Sequence, residues 1–192
     1  MLLHYSLNMS DLQAIKSVSI KNNVVKVNNN IVFESTEEHF APFAKSLYKH
    51  LNTEYSKFYK MSSLCKLGFL ATELLLKDVD YSSIAPENIS VIIANASSSL
   101  HTDTEYQETV DTIPSPSVFV YTLPNIVIGE ICIRHQFRGE GFFFVQPSFD
   151  YDFIANTAQS LLRNNRAEMC IYGWIEIDAN EQYEALLFLA KK

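Results

Sequence analysis

With 192 residues, 47% of them hydrophobic and only 5 Gly and 6 Pro, the chain has the makings of a single ordered domain, 1–192, without low-complexity linkers. A net charge of −7 leaves no clustered Lys and Arg of the kind phosphate binding needs, so nucleic acid is not an expected partner. No window approaches the ~18 continuous apolar residues of a membrane-spanning helix and the N-terminus lacks the run of a signal peptide, so a cytoplasmic location away from membranes is expected.

In chain order, the first forty residues alternate as short strands do, notably Val24, Val25 and Val27 and then Ile31 to Phe33, with Asn-rich turns between them. Their pairing is not legible. Apolar residues then recur at helical spacing from Phe43 to Leu51 and from Ser62 to Lys77, where Leu64, Leu67, Phe69, Leu70, Leu74 and Leu75 form a stripe wide enough for a buried helix. Ile89 to Ala96 is a β-branched apolar run after Pro86, which predicts a strand covered on both faces. Ser97 to Ser99 forms its polar exit, and a loop follows through Pro114 and Pro116.

Asn125 is placed to cap a helix carrying Ile126, Val127, Ile128, Ile131 and Ile133 and ending near Gly139. Phe142 to Val145 predicts a strand, Asp150 to Arg163 a helix, Met169 to Ile177 a strand, and Tyr183 to Leu189 a final edge strand. Strand, helix, strand, helix, strand in this order implies βαβ units and a parallel sheet covered by helices.

Tyr121-Thr122-Leu123-Pro124-Asn125, Gly129-Glu130, Arg134-His135 and Arg138-Gly139 are similar to the TLPN, GE, RH and RG motifs in the N-terminal half of β-ketoacyl synthases, a family of the thiolase-like superfamily. Lys60-Met61-Ser62 through Glu73 resembles its KMS helix. Ile93 to Ser99 with Thr104 and Gln107, and Asn165 to Glu176, agree with it in order and spacing. The resemblance covers about 58–177. It implies an α/β fold, a single thiolase-like half (βαβαβ) with a mixed, mostly parallel sheet covered by helices; a complete ketosynthase has two such halves and is usually a dimer through the first.

The resemblance also sets a test of chemistry. The family keeps a nucleophilic cysteine on the turn after the strand that follows RG, where a helix N-terminus lowers the thiol pKa. Ungapped alignment from Arg138-Gly139 puts Ser148 there, in Val145-Gln146-Pro147-Ser148-Phe149-Asp150-Tyr151. An alcohol is scarcely ionised near neutral pH and needs an adjacent general base. Phe149, Asp150 and Tyr151 replace small residues and would fill the entrance, and Asp150 is better placed to favour a helix start than to act as a catalytic acid. Gln146 invites comparison with chain-length-factor subunits, in which glutamine replaces the cysteine, but it sits two positions early.

The histidines that the family uses in condensation come from its second half. His135 matches a histidine that the family keeps without making it catalytic, and His4, His39, His50 and His101 show no metal-ligand spacing. Cys65, Cys132 and Cys170 lie in apolar patterns without C-x-x-C spacing, which suits core residues in a reducing compartment. Hydrolase, P-loop and dinucleotide motifs are absent. No cofactor or metal is expected. The expectation is therefore a non-catalytic ketosynthase-like subunit or scaffold in fatty-acid, polyketide or polyene biosynthesis, pairing with a full-length ketosynthase or an acyl carrier protein, or with itself as a homodimer. An acidic carrier would need a basic patch, and Lys57, Lys60 and Lys66 come nearest. The alternatives are a small acyltransferase or thioesterase using Ser148, and an acyl-binding protein with a wide apolar pocket beneath it.

Overall fold

Two-residue turns shape the N-terminal part of the sheet. The structure, a computed structural model, describes residues 12–110 and 113–192, so His4 lies outside the described residues. Strands β1 (Lys16–Lys21), β2 (Val24–Val27) and β3 (Asn30–Glu34) form an antiparallel meander. They are joined by Asn22-Asn23 and Asn28-Asn29, and all four asparagines have positive φ. That conformation matches the twist of paired strands in a tight hairpin, and asparagine tolerates it better than most side chains. The Asn-rich turns are therefore where the sequence put them, while β1 was not foreseen.

Helices α1 (Phe40–Leu51) and α2 (Ser63–Leu76) follow, the second capped by Ser62, whose Oγ accepts from the Cys65 N–H at 3.4 Å. Strand β4 (Ile89–Asn95) is buried along all seven residues, as its unbroken apolar pattern requires. The segment read as a loop through Pro114 and Pro116 instead contains α3 (Leu100–Val110) and the short α4 (Pro116–Phe119). Few residues of α3 are buried, so it carries no apolar stripe for the helical period to show.

Helix α5 (Ile126–His135) ends earlier than expected. Gln136 takes a left-handed conformation and stops it, and Asn125 makes no side-chain cap. Gly139 belongs instead to the approach to β5 (Gly141–Val145), where a Cβ would stand 2.3 Å from the Ile89 carbonyl oxygen. Helix α6 (Tyr151–Arg163), β6 (Met169–Ile177) and β7 (Tyr183–Lys191) complete the chain.

All seven strands form one mixed sheet in the order β3-β2-β1-β7-β6-β4-β5. Tyr183 to Leu189 was expected at an edge; β7 lies inside, antiparallel to both β1 and β6. The fold is α/β, as expected, but parallel pairing is confined to β4 with β5 and β4 with β6. The meander and β7 supply the antiparallel pairs, because hairpin-length connections cannot join parallel strands.

Helices α1, α2 and α5 pack on one face, against Val18, Ile20, Val91, Ile93, Ile171, Ile175 and Leu187. Helix α6 covers the other face over Ile92, Ala94, Cys170, Tyr172 and Trp174. The chain moves outward from β4 to β5 through α5 and back past β4 to β6 through α6. Crossovers of one hand that run in opposite directions must use opposite faces. Gly173 sits where β6 and β7 touch, with φ of 151° and the Leu186 carbonyl oxygen 2.0 Å from where a Cβ would be, so only glycine fits.

Candidate functional site

In an open α/β sheet the place for a site is the carboxyl end of the parallel strands, where the chain leaves in opposite directions. Here that rim is built from the exits of β4, β5 and β6. Asn95 at the end of β4 holds the Ser98 peptide from both sides, Oδ1 accepting from its N–H at 3.0 Å and Nδ2 donating to its carbonyl at 2.8 Å. From β6, Glu176 Oε2 accepts from the N–H groups of Ala96 and Ser97 at 2.6 and 3.2 Å. The triple serine is a strand-end turn tied down by its neighbours.

Ser148 lies on the turn from β5 into α6, where the aligned nucleophile would be. It is exposed, and among the described residues its hydroxyl has no hydrogen-bond partner. The histidines are engaged elsewhere. His101 stands 3.9 Å from both Glu105 and Glu181, His39 is 3.4 Å from Glu181, and the His50 ring lies 5.0 Å from Phe33. Among the described residues none of these imidazoles is hydrogen-bonded to Ser148, as a base that takes its proton would be. Asp150 is the α6 N-cap, Oδ1 accepting from the Phe153 N–H at 2.9 Å.

The bulky neighbours of Ser148 fold inward. Phe149 packs on Trp174 at 5.8 Å between centroids and Tyr151 on Phe188 at 5.1 Å. They fill the space between α6 and the sheet, so the wide apolar pocket that an acyl-binding role requires is not found beneath Ser148. Gln146 continues the β4–β5 ladder, its N–H donating to the Asn95 carbonyl at 2.8 Å.

The motif residues are brought together behind the rim, in two polar clamps around α5. In the first, Arg134 donates from Nε and Nη2 to the two Glu73 carboxylate oxygens at 2.9 and 3.1 Å, and Nη2 also donates to Thr53 Oγ1 at 2.9 Å. His135 Nε2 lies 3.2 Å from Glu73 Oε1, and its Nδ1 is 3.3 Å from the Tyr81 hydroxyl. Burial would raise the Glu73 pKa, but the hydrogen bonds from His135 and Arg134 and their charges outweigh it and hold the carboxyl at about 2. The Arg134 guanidinium also lies over the Tyr55 ring, 5.0 Å from its centroid.

The clamp lines an open cleft of about 490 Å³ where the C-terminal ends of α1, α2 and α5 converge, at Asn52, Lys77 and Gln136. Three negative helix ends explain cations in the last turn of α5 and the Lys16 ammonium on the Lys77 carbonyl.

In the second clamp, buried Glu130 accepts from the Tyr121 hydroxyl at 2.9 Å and meets Lys57 Nζ at 2.8 Å. Burial and the Glu130 carboxylate push the Tyr121 phenol upward. Of the expected basic patch, Lys57 is thus occupied and Lys66 is half-buried, its pKa lowered first by that burial. Burial likewise raises the thiols of Cys65 and Cys170 to about 12 and of Cys132 to about 11, which suits packing residues. Among the described residues no three His, Cys, Asp or Glu side chains converge on a metal position.

No family model and no curated protein matches the sequence. Solved structures do. One described as the ishigamide ketosynthase/chain length factor superposes with a TM-score of 0.63 at 15% identity, covering 94% of this chain and 62% of that one. The ketosynthase ApeO in complex with its chain length factor ApeC, from Xenorhabdus doucetiae, gives 0.59 at 12% identity, over 94% of this chain and 79% of that one. AntDE:AntF, a type II PKS acyl-carrier protein in complex with its ketosynthase, gives 0.63 at 11%, over 93% and 62%. The fold is ketosynthase-like. This chain spans less than two thirds of the length of the first and third of those chains.

In this ketosynthase-like fold the motif residues have structural work to do. Glu73, Tyr121, Glu130, Arg134 and His135 join helices to one another, and Gly139 lets the chain pass Ile89. Sequence reasoning named all of them as matches but missed that they pair. Separations such as the 61 residues between Glu73 and Arg134 leave no local signal.

Proposed function

We propose that this chain is a non-catalytic ketosynthase-like subunit that pairs with a full-length ketosynthase in polyketide- or polyene-type biosynthesis. The observation that carries this reading is the bare edge of β5. Gly141-Phe142-Phe143-Phe144-Val145 has no charge, proline or bulge, and among the described residues its only strand partner is β4. Native proteins usually blunt such an edge, because its unpaired N–H and C=O groups are a template for another strand. Val145 is 59% exposed, and Phe119, Val120 and Leu123 add further exposed apolar side chains. The same strand leads to Ser148, whose hydroxyl has no hydrogen-bonded base among the described residues, which supports association rather than chemistry at this corner. Neighbouring structures described as ketosynthase with chain length factor support the choice of partner. With it goes a cytoplasmic location, which three free cysteines suit.

The test is co-expression of the tagged chain with the ketosynthase encoded nearest to it. The pair should co-elute, and Val145→Lys should release the partner. A ketosynthase that never co-elutes with the wild-type chain would remove the reading.

An acyl carrier protein is the second partner. Lys45, Lys49 and Lys60 are exposed, and among the described residues none of them has a carboxylate in ion-pair range. Tyr48 and Tyr59, 5.5 Å apart, bring their segments together. Binding of holo carrier protein that weakens with added salt and with Lys49→Glu would support it.

A further inference from the structure

We propose that the groove beside β5 discriminates against a second copy of this chain and in favour of a partner strand that brings its own cations. This rests on the reading of β5 as the docking edge. On the α6 side of the sheet, β5 is flanked by an open groove of about 780 Å³. Phe142, Phe153 and Leu161 are its apolar part. Asp150 and Asp152 stand where β5 ends, Glu140 and Arg166 where it begins, because α6 runs back along the strand.

Only one of these four charges is a cation, and it is already held: Arg166 Nε lies 2.6 Å from Glu140 Oε1. Among the described residues neither aspartate has a cationic partner. Two copies related by a two-fold axis can join β5 to β5 only antiparallel, and pairing along the full strand sets Gly141 opposite Val145. Asp150 and Asp152 of one copy then face Glu140 and Arg166 of the other. Each end of the contact sets three carboxylates against one guanidinium, and symmetry repeats the imbalance at the other end. A different chain with Lys or Arg flanking its edge strand makes the same backbone bonds without that repulsion, which is how an interface rejects one partner while accepting another.

The test is self-association of the full chain by sedimentation velocity, for wild type, Glu140→Gln and Glu140→Lys, at low and high salt. Glu140→Gln frees Arg166 for the facing aspartates, and Glu140→Lys adds a second cation. Dimerisation should rank Glu140→Lys above Glu140→Gln above wild type. The two symmetric contacts are worth a few-fold each, so the first should be roughly ten-fold tighter than the last at low salt. High salt should erase the ranking, and Val145→Lys should abolish the dimer in the Glu140→Lys background.

Circular dichroism and melting curves establish that each variant folds, and Glu140→Gln serves if Glu140→Lys does not. A wild-type dimer as tight as the Glu140→Lys dimer, a ranking that survives high salt, or no self-association by either variant would overturn the proposal. If Val145→Lys still releases the ketosynthase in that case, the docking edge stands and only the charge selection falls. If Val145→Lys leaves ketosynthase capture intact, the docking edge itself falls.

Discussion

The clamp at Glu73, Arg134 and His135 and the turn at Ser148 lie in the same ketosynthase-like frame, and they differ in what surrounds each polar group. In the clamp every charge has a partner, from two helices and two loops. On the turn the hydroxyl has none and the neighbouring side chains have joined the core. The contrast shows that the polar residues matching family motifs serve to join helices in this frame, whereas the turn residue has no such role. Motif residues at low identity are then a guide to fold before they are a guide to activity.

The strongest way to break the comparison is to remove one partner of the clamp. Arg134→Met leaves Glu73 without its bidentate donor in a half-buried site and should cost about 3 kcal/mol in urea unfolding. The double variant Glu73→Gln with Arg134→Met should recover part of that loss. If Arg134→Met is neutral, the clamp is not what joins α2 to α5.

Acid should act on the clamp and spare the turn. The folded Glu73 carboxyl sits at about 2 against a usual 4.5, so its contribution is fully present above that usual value and is lost as pH falls from about 4.5 toward 2. Thermal melts of Glu73→Gln should be flatter than wild type in this window. Equal slopes would mean that other carboxylates govern acid unfolding.

Smaller effects belong to the turn. Asp150→Ala removes the α6 cap and should cost about 1 kcal/mol, with Asp150→Ser restoring most of it. A cap effect this size would confirm that Asp150 serves the helix, whereas loss of a covalent acyl adduct on substitution would give it a chemical role. Smallest of all is Ser148→Ala, which should change stability by less than ~0.5 kcal/mol. Incubation with acyl-thioesters should leave no adduct on Ser148 by mass spectrometry. An adduct abolished by Ser148→Ala would reverse the contrast and revive the acyltransferase reading.

How much of this was legible in advance follows from range. Ser62 to Lys77, Asp150 to Arg163 and Met169 to Ile177 could be placed because their periodicity is local and their faces are strongly buried, and Phe142 to Val145 because it is a short unbroken apolar run. Helix α3 could not, because it lies largely exposed and shows no stripe. The Ser148 position was legible through a resemblance, but its bareness was not, since whether a hydroxyl has a base depends on chain far away.

By itself the sequence determined the strongly periodic elements, the asparagine turns, and the identity of the residue at the turn after β5. Each is set by local sterics, hydrophobic period or residue chemistry. Only the tertiary structure decided that β7 runs inside the sheet, that motif residues 61 positions apart share one ion pair, and that uncharged β5 is, among the described residues, an edge strand beside an acidic groove. Those outcomes depend on which strands and helices become neighbours, and hydrogen bonds and charges between distant segments leave no period along the chain.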